Sequence, residues 1–204
     1  MVTHAERARV GEAAVSAGSS IYEGDRLSTD AGGILRVSSP ALTLQLNEES
    51  MLIVRPPAGP EGGVVAELAS GTLIFSAART RNIVVVADDA LIRPSPNAST
   101  IAHIRVVTRK ELRIYAQRGA LEFSYHGENE VIAEGAAYRV LLDPSEKEAA
   151  ATWESEQAGE NPTNHHHKFL FSTIGIAAGA GIPVLMHELE SPDKPGPPHK
   201  SKNH

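Results

Sequence analysis

Short runs in which apolar and polar residues alternate recur between Ile34 and Leu141, and they constrain the fold more than any other feature of the chain. The clearest is Leu42-Thr43-Leu44-Gln45-Leu46, whose period of two places the leucines on one face of a half-buried strand. Other strand-like runs, some wholly apolar, occupy residues 34–37, 51–54, 63–68, 72–76, 83–87 and 90–93. They continue through 101–107, 111–116, 121–125, 131–133 and 137–141. Turn formers such as Glu23-Gly24-Asp25, Ala31-Gly32-Gly33 and Arg118-Gly119 separate them, at intervals of about 8 to 12 residues. Many short strands at that spacing imply an all-β sandwich, barrel or solenoid. Helix-like patterning is confined to two short patches, 5–13 and 146–156.

A second pattern interrupts the first. Residues 169–186 carry no formal charge over eighteen positions. A hydrocarbon core of roughly 30 Å needs about 20 mostly apolar residues in a helix, so the run is expected to be a membrane span near the carboxyl end. Lys168 would reach the headgroups at one edge, and His187 and Glu188 end the run at the other. Gly175 and Gly179 form a G-x-x-x-G pair that would let two such helices approach closely and the chain form a homodimer. Lys168 is the cation upstream, against Lys194, Lys200 and Lys202 downstream, so the positive-inside rule puts the tail in the cytoplasm and the domain outside. Residues 1–10 offer no apolar leader for that export. Either the start lies further upstream, or the chain is tail-anchored with a cytoplasmic domain.

The expected organisation is a β domain over 1–145, a polar linker over 146–167, a transmembrane helix over 168–187 and a disordered tail over 188–204. Aromatic residues make up 4% of the chain, so the core must be built from Val, Ile, Leu and Ala. The chain has no cysteine, which removes disulfides, thiolate nucleophiles and Cys-based metal sites. A net charge of −6 without a basic domain argues against nucleic acid as a partner.

The stretch Ile21-Tyr22-Glu23-Gly24-Asp25-Arg26-Leu27-Ser28-Thr29-Asp30-Ala31-Gly32-Gly33-Ile34-Leu35-Arg36-Val37 resembles the FecR domain. That family runs as a strand, a Gly-Asp turn followed by Leu and Thr, a small pair, and an alternating strand. Leu68-Ala69-Ser70-Gly71-Thr72-Leu73-Ile74-Phe75 is similar to its later small-Gly-x-hydrophobic strand. The resemblance covers residues 10 to 90 and extends loosely to 141. Asn47-Glu48-Glu49-Ser50 stands where the family commonly has an Asp-Gly-Ser turn. The family's iron-transport regulators also carry an anti-sigma region and a span ahead of this domain, and here neither precedes it. The resemblance therefore implies a two-layered, solenoid-like β fold at a bacterial envelope, and does not carry over anti-sigma activity. Within it, Gly24 supplies a positive φ, the Asp25 carboxylate accepts local backbone N–H bonds, Leu27 points inward, Thr29 ends the strand, and Gly32 and Gly33 make the next turn.

Chemistry is sparse. His165-His166-His167 lies in the linker and is at most a weak chelator, since adjacent imidazoles on a flexible segment form no fixed site. Asp88-Asp89 could hold a cation or serve acid–base work, but such pairs are more often solvated turns. Glu48-Glu49 and His103 are weaker candidates, and the sequon at Asn97 is a short chance pattern. There is no nucleophile elbow, zincin helix or phosphate loop. No catalytic, cofactor-binding or metal-binding residue is assigned, and no cofactor is expected. The expected function is a non-catalytic sensory, signalling or ligand- or protein-binding module at the bacterial inner membrane, its domain periplasmic. Its partners would be the membrane, through one span, and another envelope protein or a glycan. The alternative is a tail-anchored structural or assembly protein.

Overall fold

The computed structural model describes residues 1–56, 63–79, 83–96, 98–144 and 169–174. These hold fourteen strands and no helix, in agreement with the all-β expectation. They are β1 Val2–Val10, β2 Ala13–Ala14, β3 Arg26–Ser39, β4 Leu42–Leu46, β5 Met51–Arg55, β6 Val64–Ala77 and β7 Ile83–Ala87. The series continues with β8 Ala90–Pro94, β9 Thr100–Thr108, β10 Glu111–Arg118, β11 Leu121–Tyr125, β12 Glu128–Ile132, β13 Ala137–Leu142 and β14 Phe169–Thr173.

The strand order forks into two layers. In the first, residues 2–6 of β1 are followed by residues 34–39 of β3, then β4, residues 71–77 of β6, β9, β10, β13 and β14. In the second, β2 is followed by residues 8–10 of β1, residues 26–29 of β3, β5, residues 64–70 of β6, β7, β8, β11 and β12. Every pairing is antiparallel except that of β6 with β7. Three strands pass from one layer to the other, each through a residue of positive φ: Arg7 at 45°, Gly32 at 63° and Gly71 at 81°. After β6 the strand pairs alternate between layers, β7–β8 and β11–β12 in the second, β9–β10 and β13–β14 in the first.

The core lies between the layers. Val85, Ile92, Leu121 and Phe123 of the second layer and Ile104, Leu112, Ile114 and Val140 of the first are all buried. Their neighbours along each strand face outward, as the period of two requires. Phe123 meets Phe169 and Phe171 of β14 edge-to-face at 5.0 and 5.2 Å, so aromatic packing ties the last strand across the core.

Several expectations change. Residues 5–13, rich in Ala, Glu and Arg, fall largely in β1, because pairing along β3 outweighs helix propensity. The runs 63–68 and 72–76 belong to the single strand β6, whose Ser70 and Gly71 carry it between layers. Thr29 does not end its strand, since β3 continues to Ser39. The largest change concerns the expected membrane helix over 168–187: its residues 169–173 form β14, paired from Leu142↔Phe169 to Tyr138↔Thr173. Among the described residues no helix is long and apolar enough to cross a membrane. The linker, the tail, His165-His166-His167, Gly175 and Gly179 lie outside the described residues.

Candidate functional site

The Gly24–Asp25 step is a tight turn held by one local side-chain bond and by backbone bonds to β5. Gly24 has φ 89°, and the Tyr22 N–H donates to Asp25 Oδ2 at 2.8 Å. The Gly24 N–H donates to the Val54 carbonyl at 2.7 Å and the Val54 N–H to the Asp25 carbonyl at 2.9 Å, stitching the turn to β5. Leu27 is buried. Gly32 and Gly33 sit inside β3 rather than in a turn between strands. A Cβ on Gly33 would lie 2.6 Å from the Arg7 carbonyl oxygen, so the close crossing of β1 and β3 requires glycine there. Arg7 in turn donates from Nη2 to the Gly32 carbonyl at 2.8 Å. Glu48 accepts from the Gly32 N–H at 2.8 Å, which makes it a strut of the same crossing. These contacts build the fold.

Asp88 and Asp89 form the two-residue link between β7 and β8, with φ 49° and 67°. Positive φ at both central residues is the signature of the tight hairpin turn that suits twisted strands. Partial desolvation, with Asp89 beside it, pushes the Asp88 carboxyl up, and Arg109 opposes the shift. Nearby, the Tyr125 hydroxyl donates to Asp143 Oδ2 at 2.8 Å. Burial, reinforced by that bond, holds the phenol well above its ordinary range. Among the described residues no three His, Asp or Glu side chains are arranged to hold a metal ion. His103 is half-buried on the outer face of the first layer, its Nε2 3.1 Å from Gln117 Oε1 and its ring 5.6 Å from that of Tyr115. Burial holds its imidazole below the usual value.

Each layer ends on an outer strand, β12 in the second and β14 in the first. β12 pairs with β11 alone and β14 with β13 alone among the described residues, so each has an open edge. The two edges differ in chemistry. β12 carries Glu128 and Glu130, and charge on an edge discourages strand addition. β14 reads Phe-Leu-Phe-Ser-Thr, with no charge at all. The sequence signal for this edge was present, but as hydropathy: the apolar run that suggested a span also supplied a strand with an unguarded edge.

Two strands in from β14, Glu111 of β10 is tied to two arginines. Glu111 accepts from Arg139 Nη2 at 2.9 Å and lies 3.6 Å from Arg113 Nε. The Arg139 bond, ahead of the charges of Arg139 and Arg113, holds its carboxyl below the usual value, burial opposing. A depressed folded value contributes stability above the unfolded carboxylate value, and that contribution is lost as pH falls through the folded one. Glu111→Gln is therefore expected to melt below the wild type at neutral pH. The gap should close in acid, as followed by thermal melts from pH 7 to pH 2.

No family model matches the chain. No curated relative matches it either. Similarity to a solved structure is found with a protein described as a candidate anti-sigma factor from Parabacteroides distasonis, at 15% identity and a TM-score of 0.46, over 57% of this chain and 54% of that one. This chain thus spans about half the length of that protein. A likeness at that level says nothing of shared function.

Proposed function

We propose that the chain is a non-catalytic, protein-binding module of FecR-like kind, acting in signalling at a bacterial cell envelope, and that it binds by accepting a strand of its partner along β14. The observation that carries this reading is the uncharged, one-sided edge of β14, set beside the charged edge of β12. An open edge presents a row of backbone donors and acceptors, and an extended segment that pairs with it gains main-chain hydrogen bonds while its alternate side chains confer specificity. Phe169 and Phe171 pack on Phe123, so the edge rests on a rigid core and is ordered before a partner arrives. The resemblance of residues 10–90 to the FecR domain is the second support, and it is the source of the envelope placement.

A membrane helix over the same residues is not part of the proposal. The backbone of 169–173 cannot both pair with β13 and lie in a helix within hydrocarbon.

The test is a display selection of extended peptides on the full chain, with binding mapped by amide exchange. Selected peptides should slow exchange in residues 170–173, and Ser172→Lys, which guards the edge with charge, should weaken them at least tenfold. Peptides that protect another edge, or that bind Ser172→Lys unchanged, would remove the proposal. A reporter active only outside the cytoplasm, placed after residue 145, checks the envelope placement of the domain separately, and a silent reporter counts against it.

A further inference from the structure

The outer face of the first layer carries an unusual row. Direct cross-strand partners run Thr72↔Arg105, Arg105↔Arg113, Arg113↔Arg139 and Arg139↔Ser172, from β6 through β9, β10 and β13 to β14. Three arginines thus stand side by side on three adjacent strands, whose spacing is about 4.8 Å. The side chains of Arg113 and Arg139 are 53% and 45% exposed, and Arg105 is exposed as well. Like charges directly opposite one another destabilise a sheet. Glu111 offsets part of the repulsion through Arg113 and Arg139. No ion pair to Arg105 is found among the described residues.

Aliphatic side chains together with His103 and Tyr115 border the row. Ile74, His103 and Tyr115 form one half-buried flank. Exposed Val107, with Leu141 and Leu170 beyond Glu111, forms the other. Arginines between aliphatic and aromatic flanks are the composition of an interface rather than of a solvated face. The row also ends on Ser172 of β14, so it runs to the open edge itself.

We propose that this arginine row is the specificity element of the β14 binding edge, and that the partner is an acidic polypeptide segment whose carboxylates lie against Arg139, Arg113 and Arg105. The inference rests on the strand-addition reading above. Charge complementarity selects the partner: the molecule as a whole carries −6, so its overall field disfavours an acidic segment and a local row of arginines is what attracts one. Guanidinium forks match carboxylates in pairs, which gives the row geometric as well as electrostatic selectivity.

The experiment compares two fluorescent peptides of equal length on the full chain at low salt, one alternating Glu with Val and the other Gln with Val, together with a short DNA duplex. The acidic peptide should bind at least tenfold more tightly than the neutral one, and the preference should shrink as salt is raised. Arg105→Gln with Arg113→Gln should bring the acidic peptide to the level of the neutral one. The melting temperature of that variant should stay level or rise, because repulsion has been removed. Equal binding of the two peptides would overturn the inference and leave strand addition standing. Binding of neither would overturn both. Tighter binding of the duplex would assign the row to nucleic acid instead, and a drop of several degrees in the double variant would make the row a structural feature.

Discussion

Phe123→Ala is expected to cost about 3–5 kcal/mol, the range for deleting a fully buried phenylalanine. Its ring is 0% exposed and holds Phe169 and Phe171 by edge contacts at 5.0 and 5.2 Å. At about 4 °C per kcal/mol for a domain of this size, the melting temperature should fall by roughly 12 to 20 °C. The loss should be uneven. β14 is joined to the rest by β13 and by these rings, so its amides should lose protection before those of β4 or β7. Phe123→Leu keeps most of the volume and should lose less than half as much. Equal losses in the two variants, or an unaffected β14, would mean that the aromatic contacts do not hold the strand.

Gly71→Ala should cost on the order of 3 kcal/mol, from two sources. An L-residue at φ 81° pays about 1–2 kcal/mol of backbone strain, and forced overlap in a packed region adds about 1–3 kcal/mol. The overlap here is with backbone, since the new Cβ would lie 2.5 Å from Ser50 Cα and 2.7 Å from the Glu49 carbonyl oxygen. Ser50 cannot retreat easily. Its Oγ accepts from the Thr72 N–H at 2.8 Å and donates to the Glu48 carbonyl at 3.1 Å, and its N–H donates to Thr29 Oγ1 at 3.0 Å. That knot fixes the point where β6 passes from one layer to the other, so denaturant melts of Gly71→Ala should show a lower midpoint. Gly24→Ala makes the contrast, because space around it is open and only its φ of 89° opposes the change. A cost for Gly71→Ala no larger than that for Gly24→Ala would contradict the crossing geometry.

Much of the first-to-second-layer pattern was legible because strand periodicity survives in short segments. β4, β7 and β11 fall at the expected residues, since β4 and β11 alternate cleanly and β7 is a short apolar run closed by the Asp88-Asp89 turn. Two strands were hidden for opposite reasons. β1 reads Val-Thr-His-Ala-Glu-Arg-Ala-Arg-Val, in which helix formers mask a strand held by β3. β14 carries three consecutive apolar residues, Phe169, Leu170 and Phe171, and merges with the apolar residues after it, so that its period of two vanishes. The long strands β3 and β6 were read as fragments because Gly32, Gly33 and Gly71 look like turns locally. They serve as crossing points only once two layers are present to cross between. The candidate binding surface was the least legible part. Arg105, Arg113 and Arg139 are far apart in sequence, and only the register of β9, β10 and β13 brings them into line.

The central claim is that residues 169–173 are an ordered edge strand of the domain, open to a partner. Amide hydrogen exchange of these residues in the full chain, in water, with lipid vesicles and with the acidic peptide, tests it most directly. The account predicts slow exchange in water at the amides facing β13, no change with vesicles, and added protection on the outward amides with peptide. Free exchange in water, with protection only when vesicles are added, would contradict it and return the segment to the membrane.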